Sequence, residues 1–463
     1  MVSNAKYFFF LFFLLSNLSS GQGMQVTLTD IITAALKKDY NLANRQLDVE
    51  MTILDRKKLG EAFLPKVEFG AKDAYLLSSY FIDSPGLSIP SLNVEIAEGN
   101  NKFTTRSNLL EAELGISALL FSGGKITHLR RVLTEKQKAL SFLLEKDRQE
   151  LISEIISAYD QLALLRQIQI VLEESEKRLA TDMRTADKAL GYGLITKYEH
   201  QKIEVAQAQL KARQLDYRGK LEIVLEYLWL MTDIDKAKLS AITPELSPVN
   251  TQTNDLSVSN RPELQASEAV VAASDHKIKA EKTWIVPKLQ AVTSLKYLGI
   301  SNGHIKSRDA VIEGGEPLDR SMPGFDVFPM FSAGIGLKWD IFDANEGRRE
   351  VQRAQMEKNK VQNDKNELTD KLELNLVRKQ SDYQVALSSM EVGKSRRQTA
   401  FNALTQATSE YKTGLIKSSQ LIEAEEDFQA SALAYIQSIF NQRRAAIALL
   451  QATGKLSADS ITE

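Results

Sequence analysis

The sequence predicts a mostly α-helical protein that also contains two pairs of amphipathic β-strands and consists of two tandem copies of one unit. Three observations support this fold class. The phrase Gly-Leu-Ile begins at Gly193 and again at Gly414, 221 positions later. Residues 125–190 contain neither proline nor glycine and place leucines and isoleucines at steps of three, four or seven, which indicates a long helix. Each copy also has a stretch of apolar and polar alternation, which indicates a strand.

The chain begins with the features of a secretory signal peptide, which we predict over residues 1–22. Lys6 supplies the positive charge, residues 7–15 form an apolar run, and small residues follow at 19–21. This run is shorter than the roughly 20 residues that a membrane-spanning helix needs, although an uncleaved anchor is the alternative. The chain has no cysteine, so it can form no disulfide and carry no lipid on an N-terminal cysteine. An exported chain without cysteine fits a bacterial envelope.

Charge and composition exclude several classes of function. Without Lys6 the chain has 57 basic and 60 acidic residues, and this net charge of −3 argues against nucleic acid as a partner. No later stretch predicts a membrane helix, but strands of alternating polarity can span a membrane with little hydropathy signal. The four histidines do not have the spacing of a zinc motif. We therefore expect no metal and no cofactor, and because we find no catalytic constellation, we expect no enzymatic activity.

The repeat divides the chain after the signal peptide into two units, 23–245 and 246–463. At the offset of the tip glycines, LLFSGGK (119–125) falls on DIFDANE (340–346). At an offset one residue longer, LPKVEF (64–69) falls on VPKLQA (286–291), a difference that one loop residue explains. The period is much longer than that of a solenoid repeat, so we interpret it as a duplication. Residues 242–262 are rich in Pro, Ser, Thr and Asn and are predicted to join the units as an irregular segment.

Each unit is predicted to open with a helix that is followed by two strands. In the first unit, helical spacing begins at Leu28 and ends at the Leu-Pro pair 64–65, because proline terminates helices. The predicted strand pairs are 66–80 with 107–121 in the first unit and 288–298 with 327–342 in the second. Two interpretations of their apolar faces remain open: the core of a soluble sandwich, or the lipid-facing surface of a membrane β-barrel with a polar lumen. Four strands are too few for a barrel, which would therefore need several copies of the chain.

The alternation assigns side chains to the two faces of the predicted sheet. In the barrel interpretation one face contacts lipid and the other lines the lumen. We expect Leu114, Ile116, Ile335 and Leu337 on the lipid face, and Glu113, Ser117, Lys338 and Asp340 on the lumen face.

Each unit is predicted to end with a long helical hairpin, over residues 122–231 and 344–452. The apolar stripe of the first long helix has the spacing of a coiled-coil contact. Glycines at 193 and 414 end the descending helices, since a left-handed residue costs least at glycine. Thr196 and Ser418 are the candidate N-caps of the ascending helices.

The duplicated order of helix, strand, loop, strand, long helix, glycine tip and helix resembles the outer-membrane efflux protein (TolC) family. The tip phrases GYGLITKYEHQKIEVAQ and YKTGLIKSSQLIEAEEDF carry this resemblance together with the duplication. It implies a homotrimer in the outer membrane of a Gram-negative bacterium. In such a trimer, four strands per protomer form one 12-stranded barrel, and the helices form a long coiled-coil barrel in the periplasm. It also implies an exit duct for efflux or type I secretion, with a periplasmic adaptor (membrane fusion) protein and an inner-membrane pump of the RND, ABC or MFS type as partners.

The resemblance also implies roles for residues at the hairpin tips. Gly193, Leu194, Gly414 and Leu415 are expected to dock the adaptor, and Glu199, Gln420 and Glu423 to form a periplasmic constriction. Gln420 and Glu423 stand six and nine residues after Gly414, where the family has acids, and only Glu423 is acidic. The corresponding positions of the first copy are Glu199 and Lys202.

Two other classes of function share some of these features. A periplasmic coiled-coil adaptor or scaffold would have the hairpins and the signal peptide, but it would not need two strand pairs that end in aromatic residues. A hydrolase with its site in the loops is the second alternative, for which we find no supporting motif.

Overall fold

A computed structural model describes residues 26–251 and 256–457, so the predicted signal peptide lies outside the described residues. The elements of the first half are α1 (Leu28–Lys38), α2 (Tyr40–Glu61), β1 (Lys66–Ser84), β2 (Leu87–Ile89), β3 (Val94–Ile96), β4 (Gly99–Phe121), α3 (Lys125–Gly191), α4 (Lys197–Thr232) and α5 (Lys236–Ser240). Those of the second half are α6 (Pro262–Glu281), a 3-10 turn (Lys282–Ile285), β5 (Lys288–Ala310), β6 (Pro317–Met322), β7 (Phe325–Lys338), α7 (Glu346–Lys412) and α8 (Ser418–Ala452). Among these described helices, none is long and apolar enough to cross a membrane.

The chain divides into two compact units. The helical unit contains the described residues up to 44, then 143–264 and those from 368 onward. The sheet unit contains residues 45–142 and 265–367. The fold is thus mostly helical with one main antiparallel sheet, as the sequence predicts.

The helix predicted between Leu28 and the Leu-Pro pair is in fact two helices that meet at Asp39. Asp39 has an extended backbone, with φ −62° and ψ 121°. Its Oδ1 accepts a hydrogen bond from the Leu42 N–H at 2.8 Å, so its side chain caps the start of α2. Aspartate competes with the helical backbone in this way, which explains a break that the apolar spacing does not signal.

The main sheet is antiparallel throughout, with β4 between β1 and β5. The far side of β5 pairs with β7 along its first part and with β6 near its end. The pairing of β1 with β4 has no register shift from Lys66↔Ser117 to Ser84↔Gly99. Both strands are longer than predicted, because backbone pairing continues through residues 81–84 and 99–106, where the alternation of apolar and polar residues is lost.

The register places the predicted face residues in two sets. Leu114 pairs with Leu295, which pairs with Phe331, so the even positions of β4 share a face with the odd positions of β7. This face, the apolar face below, contains Leu114, Ile116, Ile335 and Leu337. The polar face contains Glu113, Ser117 and Lys338, and Lys296 Nζ lies 3.0 Å from Glu113 Oε2 there.

Asp340 does not lie in a strand, and this part of the prediction was wrong. The strand predicted over 327–342 ends at Lys338, whose partner Lys288 is the first residue of β5. Pro287 precedes that partner and has no N–H to continue the ladder. Beyond the strand, the Trp339 indole N–H donates to the Ile285 carbonyl at 2.9 Å instead.

The helical unit contains most of the two long hairpins, whereas the first parts of α3 and α7 belong to the sheet unit. Helices α3 and α7 each have 67 residues, or about 100 Å at 1.5 Å per residue. Ile31 of α1, Ile155 of α3 and Leu228 of α4 are fully buried in one cluster, to which Ile447 of α8 also belongs. Burying each such side chain contributes about 1.5–3 kcal/mol, so the last helix helps to stabilise the core of the first repeat.

The segment predicted to join the repeats is bound to α8 over its described first part. Gln442 accepts from the Val249 N–H at 3.0 Å and donates to the Val249 carbonyl at 2.7 Å. The Arg443 guanidinium donates to the Ser247 carbonyl and to Asp160 Oδ1 of α3, both at 2.8 Å. Burial raises the pKa of Asp160, and the Arg443 contact opposes that rise.

Replacing Arg443 tests this buried ion pair. Arg443→Met leaves the Asp160 carboxylate buried without its partner, so we expect a loss of about 3–5 kcal/mol in the free energy of unfolding. The pKa of Asp160 should then rise further, and the bound proton should stabilise the folded state. The loss should therefore be smaller in mildly acidic than in alkaline buffer when unfolding is followed by circular dichroism.

The neighbouring Arg444 is exposed and provides the matched control. Arg444→Met should leave the free energy of unfolding within about 0.5 kcal/mol of wild type. Equal losses in the two variants would show that the buried pair has no special role.

Candidate functional site

The first hairpin tip closes α3 with two overlapping hydrogen bonds. Gly193 has φ +69°, its N–H donates to the Leu190 carbonyl at 2.9 Å, and the Leu194 N–H donates to the Ala189 carbonyl at 2.8 Å. This is a Schellman motif with glycine in the left-handed position. A Cβ built on Gly193 would meet no atom within 4 Å, and the Leu194 side chain is 76% exposed. The tip therefore presents an open surface.

The second tip has the same geometry. Gly414 has φ +76°, its N–H donates to the Tyr411 carbonyl at 3.0 Å, and the Leu415 N–H donates to the Glu410 carbonyl at 2.9 Å. Leu415 is also 76% exposed, and a Cβ on Gly414 would likewise meet nothing within 4 Å. Each of the four predicted docking residues thus lies on an exposed helix end.

The two ascending helices begin differently. Thr196 is the N-cap of α4, since its Oγ1 accepts from the Glu199 N–H at 3.2 Å, as predicted. The N-cap of α8 is Lys417, so the prediction of Ser418 was one residue late. Ser418 is the first helical residue and is buried, and its hydroxyl lies 3.4 Å from the Tyr411 hydroxyl.

Glu199 supplies the cap that Lys417 cannot provide, because a lysine side chain has no acceptor. Glu199 Oε2 accepts from the Ser419 N–H at 3.1 Å, which joins the start of α4 to the start of α8. Gln420 Oε1 accepts from the Lys417 N–H at 3.1 Å, so its side chain completes the same helix end. A carboxylate at a helix N-terminus also interacts favourably with the helix dipole.

Glu423 is exposed on α8 and lies between two grooves. One groove separates α8 from α4 and is lined by Tyr198 and Lys202, and the other separates α8 from α7. Glu426 faces the first groove and Asp427 the second, so three exposed carboxylates follow each other on this part of α8. The run EAEEDF contains all three, although only Glu423 was predicted to line a constriction.

The buried acid of that run, Glu425, forms a second group of charges behind the exposed face. Its carboxylate accepts from the Arg178 Nε–H and Nη2–H groups of α3, each at 2.9 Å. Burial, and then the Glu425 charge, raise the pKa of the nearby Asp182 to about 6. The folded state therefore binds a proton that the unfolded state releases near pH 3.8, and this contribution to stability is lost as the pH rises through about 6. No local motif signals these contacts, since Arg178 and Glu425 are 247 positions apart.

Within 26–251 and 256–457, no group of three or more His, Cys, Asp or Glu side chains could hold a metal ion. The tips present open backbone and two exposed leucines, and α8 presents exposed carboxylates beside them.

Changing Glu199 tests its role as the cap of α8. Glu199→Gln keeps an acceptor of the same shape but removes the charge, and we expect the first turn of α8 to lose about 1 kcal/mol. The Ser419 amide should exchange with solvent about fivefold faster in a hydrogen-exchange measurement. Glu426→Gln, a change of the same kind on the exposed face of α8, should leave this exchange rate unchanged. An unaltered rate in Glu199→Gln would contradict the capping role.

Comparisons with known proteins agree with this architecture. Residues 255–455, within the predicted second repeat, match the family model described as outer membrane efflux protein. The chain is 20% identical over 322 residues to the outer membrane efflux protein BepC of Brucella suis biovar 1 (strain 1330), a match that covers 69% of this chain and 66% of BepC, just under two thirds.

Solved structures extend the likeness over most of the chain. A membrane protein from Pseudomonas aeruginosa superposes with a TM-score of 0.69 at 15% identity and covers 92% of this chain and 93% of its own. The Campylobacter jejuni CmeC outer membrane channel gives 0.67 at 15% identity, with coverages of 92% and 85%. At this level of identity the structures establish the fold. The comparisons thus agree with the resemblance to the outer-membrane efflux proteins, by the family model over residues 255–455 and by the fold over most of the chain.

Proposed function

We propose that this protein is the outer-membrane channel of a tripartite efflux or type I secretion system in a Gram-negative bacterium. It would pass substrates from an inner-membrane pump across the periplasm and the outer membrane. The single observation that carries the proposal is the sheet, which has one apolar face, one polar face and two unpaired edges. The family match and the shared fold support the same function.

The apolar face of the sheet is suited to lipid. Phe69 and Ile335 lie on this face, and their side chains are 73% and 72% exposed. Exposed apolar residues of this size are unfavourable in water at about 25 cal/mol per Å², but not in a bilayer. The polar face, which contains Glu113 and Lys296, then lines a water-filled lumen.

The unpaired edges support assembly from three copies. Within the described residues β1 pairs only with β4, and β7 pairs only with β5. Lipid offers no hydrogen-bond partners, so each edge must pair with another strand. Three copies of the four long strands would close one 12-stranded barrel, as in the family. In the helical unit, exposed apolar residues along α7 provide a second contact surface for neighbouring copies: Leu374, Val377, Val385 and Val392.

The hairpin tips are the proposed docking surface for the periplasmic adaptor. Gly193 and Gly414 leave space above the backbone, and each is followed by an exposed leucine. Two apolar side chains beside open backbone give a partner hairpin a surface that it can approach closely. The pump, of the RND, ABC or MFS type, would act through that adaptor.

The exposed carboxylates of α8 are the proposed constriction. In a trimer, Glu423 and its neighbours Glu426 and Asp427 would recur three times around the entrance. Glu199 and Gln420 contribute indirectly, because their side chains hold the first turn of α8. The constriction is therefore proposed to be acidic at Glu423 and to be fixed in position by the two capping residues.

A periplasmic adaptor or scaffold is the alternative function. It would share the hairpins, but its sheet would not expose a large apolar face. Outer-membrane fractionation distinguishes the two, because a barrel stays with the membrane through a high-salt wash, whereas a peripheral scaffold is released.

Two neighbouring substitutions on β4 test the membrane orientation. Ile116→Arg puts a charge on the proposed lipid face and should cost about 2–4 kcal/mol per chain, so the amount of cross-linked trimer in membranes should fall strongly. Ser117→Arg places the same side chain on the proposed lumen face and should assemble normally. If both variants assembled equally well, the assignment of the faces would be wrong.

Gly414→Trp tests docking at the tips. The left-handed backbone makes a side chain there cost about 1–2 kcal/mol, which is too little to prevent assembly. We expect near-normal amounts of trimer, but loss of transport and of cross-linking to the adaptor, since tryptophan would fill the docking surface. Gly414→Asn is the control, because asparagine tolerates this backbone and remains small. Wild-type transport per trimer in Gly414→Trp would rule out the docking role.

A further inference from the structure

The apolar face of the sheet does not continue unchanged to the far end of β4. The pairing of β1 with β4 has no register shift, so the even positions of β4 remain on one face along its whole length. From Ile116 to Leu110 these positions are apolar. Beyond them they become Asn108, Arg106, Thr104 and Lys102.

A polar row marks the end of the apolar run on β4. Asp73 pairs with Leu110, Leu110 with Gly299, and Gly299 with Asp326, so two aspartates lie at this level on the face. The Tyr297 hydroxyl donates to Asp326 Oδ1 at 2.8 Å. A tyrosine at this level is typical of the boundary between hydrocarbon and head groups.

A β-bulge then brings two more basic side chains onto this face. Asn108 pairs with Ser301 and Arg106 with His304, so Ser107 alone opposes Asn302 and Gly303. Asn302 has φ +54°. A bulge of this kind reverses which side chains point to each face. Without it, Gly303 and Ile305 would follow Ser301 on the apolar face; with it, His304 and Lys306 do.

The result is a cluster that we call the outer basic patch, made of Lys102, Arg106, His304 and Lys306. Arg106 and His304 are direct partners across two strands, and Lys306 is the partner of Thr104. Side chains in such pairs start about 5 Å apart. Arg106 and Lys306 are exposed, while Lys102 and His304 are half-buried.

One acidic residue contacts this patch, but its charge does not neutralise the charge of the patch. Asp319 of β6 lies 2.6 Å from His304 Nε2 and 3.5 Å from Lys306 Nζ. Among the ion pairs of the described residues, none involves Arg106 or Lys102. The aspartate thus positions two of the basic groups and leaves a net positive surface.

The distance from the apolar face fits a head group. Arg106 is four residues from Leu110, or about 13 Å along the strand. Exposed apolar side chains of β1 flank the patch, since Leu77 pairs with Arg106 and Phe81 with Lys102. A ligand here would meet cations and exposed apolar side chains at the same level of the sheet.

We propose that the outer basic patch binds the phosphorylated head group of a glycolipid in the outer leaflet of the outer membrane. This rests on the proposed function, because it requires the apolar face to contact lipid. Lysine and arginine near a membrane surface each add about a factor of five to the binding of anionic lipid. A phosphorylated glycolipid supplies the negative charge that complements the patch and the acyl chains that suit the surface below it.

Lipid binding by the assembled protein in phosphatidylcholine discs provides the test. The probe is diphosphorylated lipid A, and native mass spectrometry measures how much each trimer retains. The double variant Arg106→Gln/Lys306→Gln removes two charges from the patch and should bind this lipid about 30-fold more weakly. Fully dephosphorylated lipid A should bind weakly to wild type and equally weakly to the variant.

A matched control removes two charges from the opposite face. Arg320 pairs with Ile305 at the level of the patch, and Lys72 pairs with Glu111 on the polar face. Arg320→Gln/Lys72→Gln should therefore bind diphosphorylated lipid A as wild type does. Equal loss in the two double variants, or no loss in the patch variant, would overturn the proposal. Displacement of the lipid by inorganic phosphate alone would also overturn it, since the site would then belong to a soluble anion.

Measurements of trimer assembly and of transport distinguish a failure of this inference from a failure of the proposed function. The patch variant should form trimers and transport normally, so loss of lipid binding alone concerns the patch. Normal transport together with unchanged lipid binding would overturn the patch and leave the channel function standing. If wild-type protein were released from outer membranes by salt, both proposals would fall.

Discussion

Backbone hydrogen bonding along β4 is the constraint on which the sheet unit depends. This strand pairs with β1 on one side and β5 on the other, and its register determines which side chains share a face. Once Ile116 is on the apolar face, Glu113 and Lys296 must lie on the other. The same pairing occupies the backbone hydrogen-bonding groups of β4 and β5 and leaves unpaired edges at β1 and β7. The proposal that further copies of the chain complete the sheet therefore rests on the same strand pairing as the assignment of the two faces.

The elements with strong local signals could be predicted from the sequence. The core of β4 alternates regularly, and the tip glycines stand where the helical spacing ends. The prediction of element boundaries was less accurate where a single residue ends a helix or a strand although the apolar spacing continues. The Asp39 carboxylate caps α2 and divides a helix whose apolar spacing is continuous, and Pro287 removes the partner that residues 339–342 would have needed.

The candidate site also contains features that the sequence predicts and features that it does not. A glycine in a left-handed position depends on its own few residues, so both Schellman tips were predictable. The contacts of Glu199 with Ser419 and of Arg178 with Glu425 join residues more than 200 positions apart, and nothing local to either residue signals them. The bulge after Ser301 is of the same kind, because its effect is visible only when the register with β4 is known.

The contacts of α8 have a consequence for how the chain is made. Asp160 and Arg178 lie in the first repeat, yet their partners Arg443 and Glu425 are in the last helix. Ile447 of the same helix belongs to the cluster around Ile155. During synthesis and export, the first repeat emerges long before these partners, with its charges unpaired and part of its apolar surface open to water. The first repeat therefore lacks two of its buried ion-pair partners and part of its apolar core until the C-terminal helix is present.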